Sequence, residues 1–217
     1  MIKKTVIINR AVPGSGKTTI TNCIVKELKT NNISVAIHST DEYFMIGDRY
    51  VFDITKLYKY HQENLKEFEK SINKKLDVVI CDNTNLAPWQ TEAYTELARK
   101  HNYQIVVITL DPRELEKHVA SQKVTPQKPD AHEVCEDILK IMIQEYYIYD
   151  DLLNPRILTD EGKHLQYKWD ADANTKVITG IAKHFDSDYI IRILPNEYKN
   201  IQQLIGNKIL KLIEAQK

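Results

Sequence analysis

Residues 5–19 read Thr5-Val6-Ile7-Ile8-Asn9-Arg10-Ala11-Val12-Pro13-Gly14-Ser15-Gly16-Lys17-Thr18-Thr19. Thr5 to Asn9 is a β-branched run of strand character, Pro13 to Gly16 is a turn, and from Lys17 to Lys29 apolar residues recur at Ile20, Cys23, Ile24 and Leu28, near helical spacing. The same strand, loop and helix order recurs down the chain. Val35 to His38 reads as a second strand, followed by a helix expected from Thr55 to Asn73 with Tyr58, His61, Leu65, Phe68 and Ile72 packed on one face. Leu76 to Cys81 is a third strand whose unbroken apolar character suits a parallel sheet covered on both faces. Pro88 can open a helix carrying Trp89, Ala93, Tyr94, Leu97 and Ala98 inward, and Gln104 to Leu110 is a fourth strand. Short apolar strands alternating with helices of this length predict βαβ units and hence an α/β, doubly wound parallel sheet.

The chain beyond Asp111 is less regular. A short helix is expected around Glu114 to Gln122, then a proline-bounded loop bearing Lys123 and Lys128, then a helix from Ala131 to Tyr147. A strand pair near His164 to Trp169, a strand from Tyr189 to Leu194 and a closing amphipathic helix through Ile201, Leu204, Ile205, Leu212 and Ile213 complete the expectation.

Ala11-Val12-Pro13-Gly14-Ser15-Gly16-Lys17-Thr18 follows a strand and opens a helix, the context that a Walker A phosphate loop requires. Gly14 and Gly16 let backbone N–H groups turn inward around the β- and γ-phosphates, the helix N-terminus adds its dipole, and Lys17 adds a point charge. Pro13, Gly14, Ser15, Gly16, Lys17, Thr18 and Thr19 are thus the expected contacts to ATP, with the Thr18 hydroxyl on Mg2+. The first position of the pattern, usually glycine, is Ala11, a small residue that fits if its φ stays negative.

Asp41 and Glu42 stand just past the second strand, at the carboxyl edge where open α/β sheets bind ligands. A carboxylate there suits phosphoryl transfer to a hydroxyl, because it can orient the acceptor and take its proton. Asp41 is the expected base.

Three stretches in order, Val12 to Thr18, Asp41-Glu42-Tyr43-Phe44, and Asp82-Asn83-Thr84-Asn85-Leu86 with Trp89, make residues 1 to about 150 resemble the polynucleotide-kinase-like P-loop proteins. These include phage-type 5′-hydroxyl polynucleotide kinases and kinase-like domains found beside nucleic-acid repair and cyclic phosphodiesterase modules. The resemblance implies an ATP- and Mg2+-dependent phosphotransferase of the P-loop kinase type, with a 5′-hydroxyl of RNA or DNA as acceptor. It makes Asp41 and Lys17 catalytic, sets Asp82 beside Thr18 at the metal, and leaves Glu42, Arg49, Asn83, Thr84 and Asn85 for the acceptor. A kinase-like domain over 1–154 is expected, followed by a C-terminal α+β extension of unknown role over 155–217, either apart from that domain or packed on the same core.

The chain departs from that pattern at the lid. Such kinases close arginines over the triphosphate, whereas Glu116 to Lys123 contains none, so Lys123 or Lys128 is expected to supply the charge without a guanidinium's bidentate fork. Phe44 stands where some relatives carry an acceptor-binding arginine, and Arg49 is the nearest substitute. A small hydroxyl-bearing acceptor and a non-catalytic nucleotide-binding module are the competing readings.

Acidic and basic residues balance at 30 each in 217 residues, which excludes the strongly basic footprint of a protein that holds nucleic acid by charge alone. Any grip on nucleic acid has to be local. Cys23, Cys81 and Cys135 lack metal-ligand spacing and are expected to be thiols of a reducing compartment. No membrane-length apolar run is present, and a cytoplasmic protein is the expectation.

Overall fold

The computed structural model describes residues 2–123, 133–154, 164–170 and 175–214. The chain begins with β1 (Thr5–Ala11), α1 (Lys17–Thr30) and β2 (Val35–His38). A 3₁₀ turn over Thr40–Phe44 then leads to a small hairpin of β3 (Met45–Ile46) and β4 (Arg49–Tyr50). Next come α2 (Ile54–Asn73), β5 (Val78–Cys81), a 3₁₀ turn over Pro88–Gln90, α3 (Glu92–Lys100) and β6 (Gln104–Leu110). The remainder is α4 (Leu115–Ser121), α5 (Glu136–Asp150), an antiparallel hairpin of β7 (Leu165–Asp170) and β8 (Thr175–Ile181), β9 (Tyr189–Ile193) and α6 (Tyr198–Glu214).

Five strands form one all-parallel sheet in the order β2-β5-β1-β6-β9, so the strand that enters the phosphate loop lies at its centre. The doubly wound α/β sheet expected from the strand–helix alternation is the observed architecture. Successive side chains of a strand face opposite sides, and β1 divides accordingly. Ile7 faces Ile20, Ile24 and Leu28 of α1 and Ile205, Ile209 and Ile213 of α6. Val6 and Ile8 face Phe68 and Ile72 of α2 and Tyr94 and Ala98 of α3. Each such fully buried aliphatic side chain contributes about 1.5–3 kcal/mol.

Residues 189–214, expected as part of an extension, supply the fifth strand and a covering helix of this same sheet: β9 pairs with β6 from Val106↔Tyr189 to Leu110↔Ile193, and Ile191 and Ile193 join the core under α6. Several boundaries differ from expectation; the helix expected from Ala131 to Tyr147 runs from Glu136 to Asp150, and the strand expected from Leu76 begins at Val78. Pro88 opens a 3₁₀ turn, which the Thr91 hydroxyl closes by donating to the Pro88 carbonyl at 2.7 Å, and the α-helix begins only at Glu92. On α2 the expected apolar face is buried only from Asn64 onward; Tyr58 and His61 are exposed, and the first turns of the helix meet the Thr40–Phe44 turn instead, through Tyr60 on Tyr43 and Phe44.

A buried polar row crosses the sheet. Arg10, Thr109 and Arg192 sit side by side on β1, β6 and β9. The fully buried Arg10 guanidinium donates to the carbonyls of Leu86 (3.2 Å) and Tyr146 (2.5 Å), to Thr109 Oγ1 (3.1 Å) and to Asp150 Oδ1 (3.2 Å). Arg192 donates to Asp150 Oδ2 at 2.9 Å and to Asp111 Oδ2 at 3.0 Å. A charge this deep persists only when its donors are paired, and α5 provides the pairing.

Candidate active site

The turn after β1 adopts the conformation its glycines allow. Gly14 and Gly16 have φ of 78° and 88°, left-handed values that favour a residue without Cβ. Both are also crowded: a Cβ on Gly16 would lie 1.9 Å from the Tyr198 hydroxyl, and one on Gly14 would lie 2.6 Å from Ser121 Oγ. Tyr198, at the start of α6, donates to the Gly16 carbonyl at 2.8 Å. The cradle is thereby held between α4 and α6.

Within it the Ser15 hydroxyl is buried and has no partner among the described residues. An orphaned hydroxyl in a loop of inward-turned amides at a helix N-terminus fits a phosphate oxygen. Lys17 Nζ donates to the Asp82 carbonyl at 2.7 Å and lies 3.2 Å from Asp82 Oδ1. That carboxylate oxygen also accepts from Asn9 Nδ2 (2.6 Å) and Thr21 Oγ1 (3.2 Å), which fixes Asp82 against the first turn of α1. Thr18 and Thr19 are exposed on that turn. A hydroxyl and a carboxylate here fit Mg2+, which binds through one or two protein ligands plus substrate phosphates and water rather than in an all-protein cage.

The loops expected to face the acceptor are built by cross-links between strand ends. Asn83 Oδ1 accepts from the Thr40 N–H at 2.9 Å, which ties the turn carrying Asp41 to the loop carrying Asp82. Asn83 Nδ2 and Asn64 Nδ2 both donate to the Tyr94 hydroxyl, at 3.2 and 3.1 Å. Asn85, at φ 48°, donates to the Asn9 carbonyl at 2.7 Å, and the Thr84 carbonyl accepts from the Ala11 N–H at 2.9 Å. The side chains of Asn83 and Asn85 thus serve the loop's own geometry in this structure.

Tyr50 donates to Asp41 Oδ1 at 3.3 Å. His61, expected to be core packing, instead shares a hydrogen bond with Thr40 Oγ1 at 3.0 Å, one residue from Asp41. Partial burial, then the charges of Asp82 and Asp41, raise the pKa of the Glu42 carboxyl above its ordinary value. Phe44 is buried in an aromatic cluster with Tyr50, Phe52 and Tyr60, while Arg49 is exposed on β4.

At the lid side, Lys123 is exposed just beyond α4 and Lys128 lies outside the described residues. The guanidinium that the structure brings to the loop is that of Arg113, which the reading of the lid stretch overlooked. It stands three residues beyond the end of β6, and its Nη2 donates to the Gly14 carbonyl. Its Nε is buried without a partner, and among the described residues no carboxylate pairs with it. His118, fully buried on α4, accepts from the Arg113 N–H at 2.9 Å through Nε2 and meets the Pro13 carbonyl at 2.9 Å through Nδ1. Because Nε2 accepts, Nδ1 carries the proton and donates to Pro13, so the ring is neutral; burial first, then the Arg113 charge, lower its pKa. The sequence cue was an arginine at the carboxyl end of a sheet strand.

A central parallel sheet, a glycine cradle at a helix N-terminus with Lys17, and carboxylates at the neighbouring strand ends define a P-loop, nucleoside-triphosphate-binding kinase-like domain. The chain belongs to the AAA_33 family, described as an AAA domain, whose model matches residues 6–147. It is similar to human NEDD4-binding protein 2, with 33% identity over 129 residues; that match covers 55% of this chain and only 7% of the relative. Among solved structures, a candidate kinase of Chloroflexus aurantiacus J-10-fl aligns with a TM-score of 0.58 at 11% identity, over 96% of this chain and 98% of that one. Kti12 of Chaetomium thermophilum, solved with ADP-AlF3, aligns with a TM-score of 0.51 at 10% identity and the same coverage. No helix among the described residues is long and apolar enough to cross a membrane.

Proposed function

We propose that this protein transfers the γ-phosphoryl of ATP to the 5′-hydroxyl of RNA or DNA. The observation that supports the reading is the Thr40–Asn83 hydrogen bond, which ties the turn carrying Asp41 to the loop carrying Asp82, the carboxylate that Lys17 meets. An acceptor base and a phosphate cradle on adjacent loops are what an in-line displacement requires. Asp41 accepts the acceptor hydroxyl's proton as that oxygen bonds to the γ-phosphorus; the bond to the β,γ-bridging oxygen breaks and ADP leaves. Thr40, Asn83 and His61 position Asp41. Lys17 leaves Asp82 for the β- and γ-phosphates, and Thr18 with Asp82 would hold Mg2+, which offsets charge on the transferring group. Arg113 supplies the guanidinium that the lid stretch lacks. Acceptance of RNA or DNA follows the resemblance carried by residues 12–18, 41–44 and 82–89.

Transfer of label from γ-labelled ATP to 5′-hydroxyl RNA, 5′-hydroxyl DNA and nucleosides tests the reading. Oligonucleotides are expected to be labelled, and Asp41→Asn is expected to keep ATP affinity within a few-fold while slowing transfer by on the order of 10² or more. Labelling of nucleosides alone would make this a small-molecule kinase, and labelling of nothing would make it a non-catalytic binder.

A further inference from the structure

The nucleotide cradle makes no use of the β7–β8 hairpin, yet the hairpin packs on α5 and on the Trp89–Glu92 segment that follows the Asp82–Asn85 loop. Its first strand is fastened there: the Tyr149 hydroxyl of α5 donates to the Leu165 carbonyl at 2.5 Å, and Gln166 Nε2 donates to Glu92 Oε2 at 3.4 Å. The Tyr167 ring lies 6.0 Å from that of Trp89, tilted by 58°, and Lys176 Nζ lies 5.0 Å from the Trp89 ring centroid. Trp89 is half-buried, with one side against the cluster of Ala87, Tyr149, Leu152 and Phe185. It stands four residues beyond the Asp82–Asn85 loop.

Lys176 is exposed, and among the described residues no carboxylate makes an ion-pair contact with it. Burial foremost lowers the pKa of His61, the imidazole bonded to Thr40 beside Asp41, with the Lys176 charge acting in the same direction and that of Asp41 against it; burial foremost raises the pKa of Glu145 of α5, against the Lys176 charge. An aromatic pair and an exposed ammonium therefore stand together just beyond the Asp82–Asn85 loop. Aromatic faces stack on any nucleobase, and a lysine ammonium is a point charge for a backbone phosphate. In a chain of balanced charge, such a paired local device supplies the grip that long-range attraction does not.

We propose that the β7–β8 hairpin is the acceptor wall for a single-stranded 5′-hydroxyl oligonucleotide, with Trp89 and Tyr167 holding a base and Lys176 a backbone phosphate. This rests on the kinase reading above and deepens it. A nucleoside offers a base but no phosphate for Lys176, so the wall favours an oligonucleotide over a nucleoside.

Trp89 and Trp169 are the chain's only tryptophans, so Trp169→Phe leaves Trp89 as the single indole reporter. In that background, titration with 5′-hydroxyl tetranucleotides of RNA and of DNA, with an ATP analogue bound, is expected to quench Trp89 emission by stacking. Trp89→Leu, assayed by anisotropy of a labelled oligonucleotide, is expected to weaken binding by about tenfold. Lys176→Gln is expected to reduce the slope of log affinity against log salt by about 0.7, the value of one single-strand phosphate contact. ATP affinity, measured alongside, is expected to stay unchanged and certifies the fold of each variant. If oligonucleotides bind and are phosphorylated with no quenching and an unaltered salt slope, the hairpin assignment is overturned while the kinase reading stands. If only nucleosides are phosphorylated, both fall together; a difference between the RNA and DNA arms decides which polymer the wall accepts.

Discussion

Arg113 is a guanidinium whose only described side-chain hydrogen bond is to a backbone carbonyl, on the rim of a phosphate cradle. A carbonyl offers it far less than a phosphate would, because an anionic acceptor makes a charge-assisted bond and can take both prongs of the fork. Arg113→Gln is therefore expected to leave the fold intact and slow single-turnover transfer by on the order of 10³, with Arg113→Lys recovering only part of the loss. Unchanged transfer in Arg113→Gln would return the role to the lysines beyond α4. Lys17 differs in kind, since it supplies the fixed charge inside the cradle. Lys17→Ala is expected to abolish tight binding of Mg-ATP in calorimetric titration, and unchanged affinity in a folded variant would remove the phosphate-loop assignment.

At the scale of elements, the phosphate loop is clamped from two sides. α4 approaches through Ser121, which donates to the Gly14 carbonyl at 3.0 Å, and α6 through Tyr198 on the Gly16 carbonyl. Gly16→Ala meets two penalties, a left-handed φ that costs an alanine about 1–2 kcal/mol and the Tyr198 ring in the space its methyl would need. Urea denaturation of Gly16→Ala with and without Tyr198→Ala separates them. The single variant is expected to lose more than the backbone term, and the double variant to lose less than the sum of the two single losses, since removal of the ring relieves the clash but not the φ. Strict additivity would mean that α6 does not press on the loop.

For the molecule as a whole, three histidines tie stability to pH. Burial lowers the pKa of His118, His61 and His38 below the ordinary 6.5. A depressed imidazole stays neutral in the native state while the unfolded chain takes up protons at the ordinary value. The sign is therefore a loss of stability that begins as pH falls below about 6.5 and continues to the folded pKa; above 6.5 both states are neutral and the term is absent. The raised carboxyls of Glu42 and Glu145 act in the opposite sense. A single-histidine variant isolates the effect. In His118→Gln, the amide can donate to Pro13 and accept from Arg113 as the neutral ring does. The urea midpoint of this variant is expected to fall less between pH 7 and pH 5.5 than that of the wild type, and an equal fall would mean that the His118 imidazole is not held neutral.

Local pattern was enough for much of this protein. The strand–turn–helix at residues 5–30, the apolar runs of β5 and β6 and the amphipathic helices are encoded within a few residues each, so hydrophobic periodicity and turn chemistry determined the doubly wound sheet and the phosphate loop. What tertiary structure decided depends on residues far apart in sequence. Arg113 meets Gly14 across 99 positions and Tyr198 meets Gly16 across 182, and no window of sequence contains either pair. The same holds for His61, whose helical spacing looks like core packing until the Thr40–Phe44 turn comes against the helix and puts the ring beside Thr40. Periodicity reports which face of an element is apolar, whereas contacts between strand ends depend on strand order, and the order β2-β5-β1-β6-β9 is set by how whole elements cover one another's apolar faces.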